Sequence, residues 1–233
     1  MKHTFMSLST VVGDNKIEHV MHLLSNPRID VNQAVREGKT ALMRASEDGQ
    51  TDTVKLLLSV EGIDVNKASK SAGDTALMMA SSRGHAASVE LLLAAPGIDV
   101  NRADKDGWTA LMVASSGGHI AIVQLLLAAP GIDVHKVDKF GETALTLASY
   151  NGQIDIDIVQ LLLDVEGIDV NNADEHGYTA LMFASLDGSP DIVELLLAVK
   201  GIDVNKANQD GETALTLASS NGHTAIVQML NTY

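Results

Sequence analysis

Residues 104–134 read DKDGWTALMVASSGGHIAIVQLLLAAPGIDV. Gly107 closes a turn-forming segment, because glycine adopts positive φ without steric cost. Thr109 places a hydroxyl at the start of a predicted helix, and a Gly-Gly pair ends that helix after about two turns. A second helix is predicted from near Ile120 to Pro130, where proline and the glycine after it prevent continuation. The stretch therefore predicts a turn, a helix, a turn, a helix and an extended loop.

The same pattern recurs along the chain. Thr-Ala-Leu begins six times, at Thr40, Thr75, Thr109, Thr143, Thr179 and Thr213, with spacings of 34–36 residues. Ile-Asp-Val recurs six times in phase with it, and Asn follows each copy except the fourth, where His135 stands. A fixed period in this range indicates an array of repeats.

The repeats resemble ankyrin repeats, whose pattern is a β-turn and two helices with Thr-Pro-Leu-His-x-Ala at the first helix. In this chain the proline is always alanine, and the histidine is methionine in four repeats and threonine in two. We expect methionine to fill that position by packing, as a flexible apolar side chain. The resemblance implies an all-α solenoid of seven stacked helix-turn-helix repeats with hairpin-like β-turn loops.

The ends of the chain depart from the pattern. Residues 1–27 lack Thr-Ala-Leu but carry apolar residues at helical spacing, and residues 229–233 are more polar than the equivalent internal segments. Terminal repeats of this kind cover the ends of an array. We therefore expect one domain, 1–233, with an N-terminal capping repeat (1–33), five internal repeats (34–204) and a C-terminal capping repeat (205–233). The repeats are numbered one to seven in this order.

Composition narrows the function. The net charge of −14 is the opposite of the basic footprint of a nucleic-acid binder, and it disfavours an anionic membrane surface. The absence of cysteine excludes thiol catalysis and thiolate metal sites. The N-terminus is not a convincing signal peptide, and no stretch has the length of a membrane span. We expect a monomeric protein of the cytoplasm or nucleus, without a cofactor, that binds another protein.

Two groups of residues could suggest a metal site. Asp155 and Asp157 alternate in a loop two residues longer than its equivalents, but the glycine turn and distal glutamate of a calcium loop are missing. His85, His119 and His223 occupy the same Gly-His turn of different repeats, a pattern typical of structural residues. We expect no metal to bind.

The resemblance also implies that the partner contacts turn tips and the exposed side of the first helices. Four of the seven aromatic residues fall at such positions in three consecutive repeats, whereas Phe183 is expected in the core. Tryptophan and tyrosine often carry interface energy, so we expect the four rings to form one exposed strip. The predicted partner-binding residues are Trp108, Phe140, Tyr150, Tyr178, Lys105, Asp106, Lys139, Glu142, Glu175, His176 and Leu186.

Other functions stay open at this point. The loops that end at Asn66, Asn101, Asn171 and Asn205 resemble the pattern that asparaginyl hydroxylases accept in ankyrin repeats, so the chain could be a hydroxylation substrate. The more common role of such asparagines is to brace the loop through the side-chain amide. A secreted or host-directed ankyrin effector is a further alternative. An enzyme with its site in the concave groove is the least supported, because no catalytic constellation stands out from the repeat pattern.

Overall fold

The computed structural model describes residues 7–13, 17–35, 38–150 and 156–233. In that part of the chain the secondary structure is helical, apart from an isolated antiparallel bridge between Ala173 and Thr179. The helices are α1 (Leu8–Val12), α2 (Ile17–Leu24), α3 (Ala41–Glu47), α4 (Thr51–Leu58), α5 (Ala76–Ser82), α6 (Ala86–Leu93), α7 (Ala110–Ser116), α8 (Ile120–Leu127), α9 (Ala144–Tyr150), α10 (Ile156–Leu163), α11 (Ala180–Asp187), α12 (Pro190–Leu197), α13 (Ala214–Ser220) and α14 (Thr224–Thr232). The predicted all-α class is confirmed.

Reciprocal caps define the start of the first helices. At α3 the Thr40 Oγ1 accepts the Met43 N–H, and the Thr40 N–H points at the Met43 sulfur, both at 3.3 Å. At α9 the Thr143 N–H donates to Thr146 Oγ1 at 2.7 Å. Such caps satisfy amides that a helix N-terminus leaves unpaired. Met43 is fully buried, so the predicted packing role is confirmed, and its sulfur also serves as a weak acceptor.

The second helix of each repeat buries one face. In α12, Pro190 occupies the first turn, where its missing N–H removes no helical hydrogen bond. Ile192, Val193 and Leu196 of this helix are buried and lie on one side of it. Leu126 is equally buried in α8. This narrow aliphatic face explains why the chain forms a core with so few aromatic residues.

The described residues form two compact units. One comprises the residues up to Ala110 together with Leu125–Ile132, and the other comprises Leu111–Gln124 and Asp133–Tyr233. In the first unit α3 packs on α1 and α5, while α4 packs on α2 and α6. In the second unit α11 packs on α9 and α13, while α12 packs on α10 and α14. First helices therefore form one layer and second helices another within each unit.

A buried serine recurs near the end of the first helices. The equivalent serines are Ser46, Ser81, Ser115, Ser149 and Ser185. The Ser149 hydroxyl donates to the Leu145 carbonyl at 2.8 Å. The Ser185 hydroxyl has no hydrogen-bond partner among the described residues. Equivalent positions of one sequence pattern thus differ in hydrogen bonding.

Candidate functional site

The turn before each first helix is organised by one side-chain oxygen. In repeat five, Asp138 Oδ1 accepts the N–H groups of Phe140 and Glu142 at 2.8 and 2.9 Å. The Asp138 N–H donates to the Glu142 carbonyl at 3.0 Å and closes a hairpin-like loop. Aspartate and asparagine favour such turns because their short side chains reach the backbone a few residues on. Asp104 and Asp174 accept bonds in the same pattern, so the predicted hairpin-like loops are confirmed.

Backbone hydrogen bonds join consecutive turns within each compact unit. The Glu175 N–H donates to the Phe140 carbonyl at 2.6 Å, and the Gln209 N–H donates to the His176 carbonyl at 2.9 Å. A Cβ added at Gly141, whose φ is 83°, would lie 3.2 Å from the Asp174 backbone. Glycine is therefore required here by both conformation and space. These bonds hold the turn tips of repeats five to seven in fixed register.

Asparagine side chains join the extended loops that lead into the turns. The Asn171 side-chain amide donates to the Gly201 carbonyl, and its Oδ1 accepts the Asp203 N–H, both at 2.8 Å. Asn32 and Asn66 make the same two bonds, and the Asn101 amide donates to the Gly131 carbonyl. The bracing role predicted for Asn66, Asn101 and Asn171 is confirmed. For Asn205 the structure gives a bond from its backbone N–H to Asp203 Oδ1.

Three aromatic rings form a contiguous cluster in the second compact unit. The Phe183 ring lies 5.3 Å from the Tyr150 ring in an edge-to-face arrangement and 5.4 Å from the Tyr178 ring in a stacked one. Phe183 is only 7% exposed, as predicted for a core residue, while Tyr150 is 56% exposed. Tyr178 is half-buried. The cluster therefore has a buried base and an accessible upper surface.

Phe140 lies at the tip of the turn of repeat five and is 44% exposed. The Lys139 ammonium group lies 4.8 Å from the centre of its ring, within the range of a cation–π interaction. The neighbouring Val137 is 46% exposed. The sequence interpretation missed Val137. The signal that could have found it is that the equivalent position is alanine in every other copy.

Trp108 lies in the first compact unit, where it is half-buried. Its backbone N–H donates to Asp104 Oδ1 at 2.8 Å. The Lys105 ammonium group donates to the Lys70 carbonyl at 2.6 Å, and the Lys105 and Asp106 side chains are exposed. The other three predicted strip residues belong to the second compact unit, so a single strip of four rings remains a prediction.

Three further predicted contact residues lie close to Tyr178 and Phe183 along the chain. Glu175 and His176 are exposed, and Glu175 Oε1 lies 3.6 Å from His176 Nε2. The two side chains form an ion pair when the histidine is protonated. Leu186 is half-buried, and its carbonyl lies 3.1 Å from His223 Nε2. His85 Nε2 lies at the same distance from the Glu47 carbonyl. The predicted structural role of these two turn histidines is confirmed.

Carboxylates accumulate in the turn segments of repeats five to seven. Residues 133–142, 169–178 and 203–212 contain nine carboxylates and three lysines, whereas residues 30–39, 64–74 and 99–108 contain seven carboxylates and six basic residues. Burial raises the pKa of Glu142, and the carboxylates of Asp138 and Asp174 raise it further. Burial also raises the pKa of the Tyr178 phenol, as does the Glu212 carboxylate. The acidic character is therefore concentrated beside the aromatic cluster.

No group of three His, Asp or Glu side chains that could hold a metal ion occurs in the described ranges. Asp155, one of the two alternating aspartates, lies outside those ranges. None of the helices in the described part of the chain is both long and apolar enough to cross a membrane. The candidate site is the aromatic cluster together with the acidic turns beside it.

Comparison with known proteins decides the family. The family model described as "Ankyrin repeats (3 copies)" matches residues 8–104, 66–138, 127–208 and 157–233. The chain belongs to the ankyrin-repeat family. Its all-α solenoid is similar to the ankyrin-repeat domain of Bcl-3, described as a unique member of the IkappaB protein family. The sequences are 28% identical, the TM-score is 0.80, and the alignment covers 95% of this chain and 97% of that one.

A search of curated protein sequences gives no match. The ankyrin assignment thus rests on the family model and on the solved structure. Ankyrin repeats are generally modules of protein–protein interaction and are typically non-catalytic. The turns and the starts of the first helices have similar geometry in successive repeats, because the same cap and turn hydrogen bonds recur at equivalent positions.

Proposed function

We propose that this ankyrin-repeat protein is a non-catalytic adaptor that binds a partner protein on the surface formed by turn tips and first helices. The observation that carries the proposal is the pair of tyrosines, Tyr150 and Tyr178, supported by the buried Phe183 ring. Rings held by packing lose little conformational freedom on association, so their contact area translates well into affinity. We name Phe140, Tyr150 and Tyr178 the aromatic patch.

Polar groups complete the proposed surface. An aromatic centre with a charged rim is the usual composition of a protein interface. In the second compact unit the rim residues are Lys139, Glu142, Glu175 and His176, and Leu186 extends the apolar part. Lys105, Asp106 and Trp108 are the contact residues proposed in the first compact unit. The proposal takes residues 1–233 as one domain of seven repeats that acts as a monomer in the cytoplasm or nucleus. It involves no cofactor, nucleic acid or membrane.

The matched pair Tyr150→Ala and Tyr233→Ala tests the proposal. Both tyrosines are more than half exposed, at 56% and 61%, but Tyr233 lies outside the aromatic patch. Each variant and the wild type are immobilised and exposed to extract of the native cell, and captured proteins are quantified by mass spectrometry. A partner that uses the patch is expected to be retained by Tyr233→Ala and lost with Tyr150→Ala. An interface anchor of this kind contributes about 2 kcal/mol or more.

Folding must be measured alongside capture. The far-ultraviolet circular dichroism of both variants should match that of the wild type. The urea midpoint of Tyr233→Ala should be unchanged, and that of Tyr150→Ala should fall only slightly, because this variant loses the edge-to-face contact with Phe183. Equal capture by the two variants would contradict the assignment of the patch. A second substitution, Phe140→Ala, checks the turn tip separately from the first helix.

A further inference from the structure

One buried carboxylate oxygen in the turn of repeat five lacks a partner. Asp138 is 5% exposed, and its Oδ1 accepts the two turn amides. Its Oδ2 is buried and has no hydrogen-bond partner among the described residues. A buried ionised oxygen without a partner is energetically unfavourable. Asp138 therefore bears a cost that the turn bonds alone do not explain.

The turn of repeat seven shows the same position with its second group satisfied. There the equivalent residue is Asn208, whose Oδ1 accepts the N–H groups of Asp210 and Glu212. The Asn208 side-chain amide donates to Glu212 Oε2 at 3.2 Å. Repeat five places Asp138 and Glu142 at these two positions, and the Asp138 carboxylate raises the pKa of Glu142. Two carboxylates therefore lie near each other where repeat seven has a donor and an acceptor. The turn of repeat five lacks one donor.

Further negative charge surrounds the pair. The Glu175 N–H bonds to the Phe140 carbonyl, which brings the turn of repeat six, including Asp174, against the turn of repeat five. The raised pKa of Glu142 reflects both Asp138 and Asp174. The nearest lysine in the sequence, Lys139, places its ammonium group over the Phe140 ring. The described residues provide no trio of ligands for a metal ion here, which leaves an organic cation as the complementary group.

We propose that the Glu142 carboxylate, backed by Asp138, binds an arginine side chain of a basic segment in the partner protein. The proposal rests on the adaptor function above and specifies the chemistry of its partner. Glu142 and Tyr178 occupy equivalent positions in consecutive repeats whose turns are hydrogen-bonded. A guanidinium group can donate a fork of hydrogen bonds to a carboxylate and stack on a neighbouring ring, whereas an ammonium group cannot stack in this way.

Asp138 acts through Glu142 as a positioning residue. Its Oδ2 is covered by the protein, so its charge reinforces the field at Glu142 and does not reach the ligand directly. The acidic balance of the turn segments in repeats five to seven extends the complementarity beyond a single residue. It would attract a basic segment from a distance and weaken with added salt.

The test uses the full chain and a short alternating glycine–arginine peptide with blocked ends. Binding is followed by fluorescence anisotropy and by amide chemical-shift changes in nuclear magnetic resonance spectra. The wild type should bind this peptide more tightly than the glycine–lysine analogue and should not bind the glycine–glutamate analogue. The largest shift changes are expected at residues 138–142 and 174–178.

Three single substitutions locate the site. Glu142→Gln should lower the affinity about tenfold, the effect of losing one charge-assisted hydrogen bond. Asp138→Asn recreates the arrangement of Asn208 and Glu212, so it should fold normally and weaken binding by donating to Glu142. Glu166→Gln removes the same charge from an exposed loop and should leave the affinity unchanged. If Glu142 contributed only to folding stability, Glu142→Gln and Glu166→Gln would bind the peptide with the same affinity.

Several outcomes would overturn the inference. Equal affinity of Glu142→Gln and Glu166→Gln would remove the proposed site, as would shift changes centred on other repeats. The same shift changes on addition of calcium or magnesium alone would identify a metal site instead. If the peptide fails to bind while Tyr150→Ala still loses a captured protein, the arginine inference fails and the adaptor function stands. If the peptide binds at Glu142 but capture is unaffected by Tyr150→Ala, the proposed aromatic patch fails instead.

Discussion

Replacing His135 by asparagine should stabilise the protein. In the other loops an asparagine at this position reaches the next loop, as Asn171 does with the Gly201 carbonyl and the Asp203 N–H. His135 is exposed, and its side chain makes no hydrogen bond to another described residue. The groups that an asparagine would reach are the Gly167 carbonyl and the Asp169 N–H, because these are equivalent to Gly201 and Asp203.

The magnitude follows from the number of hydrogen bonds gained. Asparagine at 135 would add two bonds, each with a net contribution of about 0.5–1.5 kcal/mol. The expected gain in the free energy of unfolding is therefore about 1–3 kcal/mol. The backbone at 135 already has the required conformation, since the His135 N–H donates to Asp133 Oδ1 at 3.0 Å as the Asn171 N–H does to Asp169 Oδ1.

Urea unfolding followed by circular dichroism measures the change. The reverse substitution, Asn171→His, is the matched control and should lower the free energy of unfolding by a similar amount. Hydrogen exchange gives a local check, because the Asp169 amide should become more protected in His135→Asn. A neutral or destabilising His135→Asn, together with a destabilising Asn171→His, would show that the loops around 135 and 167 do not share the geometry of their equivalents. A neutral result for both would show that the asparagine bonds contribute nothing measurable.

Three further predictions follow from packing and charge. Leu126→Ala should lower the free energy of unfolding by about 2–5 kcal/mol in urea titrations, because Leu126 is fully buried; a cost within experimental error would refute its inward orientation. Ser185→Ala should be neutral or stabilising by about 1 kcal/mol, since the lost hydroxyl has no partner, whereas Ser149→Ala should be destabilising by about 1 kcal/mol; the reasoning fails if the order is reversed. Glu142 has a raised pKa when folded, so its contribution to stability falls as pH rises from the unfolded pKa through the folded one. Glu142→Gln should consequently be more stable than the wild type at neutral pH, with the gain vanishing in acid, and a pH-independent difference would contradict the cause assigned here.

Much of the fold was predictable because local chemistry and the period agree. Thr40 and its equivalents mark helix starts, and the same threonines cap the helices in the structure. The inward position of Phe183 followed from helical spacing and was confirmed. The role of methionine was predicted only in part, since the sulfur contact with the Thr40 N–H depends on a side-chain conformation that spacing does not specify.

The candidate site was less predictable. The positions of Tyr150 and Tyr178 in the repeat were visible in the sequence, but their shared support on Phe183 depends on contacts between consecutive repeats. Val137 was missed because it was not compared with the alanines at the equivalent positions. Asp138 looked like an ordinary turn residue, and its second oxygen became informative only in comparison with Asn208.

The sequence by itself determined the repeat, the starts of its first helices and its acidic balance, because caps, turns and apolar spacing act within about 34 residues and recur in repeats two to seven. The tertiary structure decided which equivalent residues have partners. Ser149 and Ser185 share a position yet differ in hydrogen bonding, as do Asp138 and Asn208. The physical reason is that these bonds depend on side-chain conformation and burial, which the spacing of residues along the repeat does not specify.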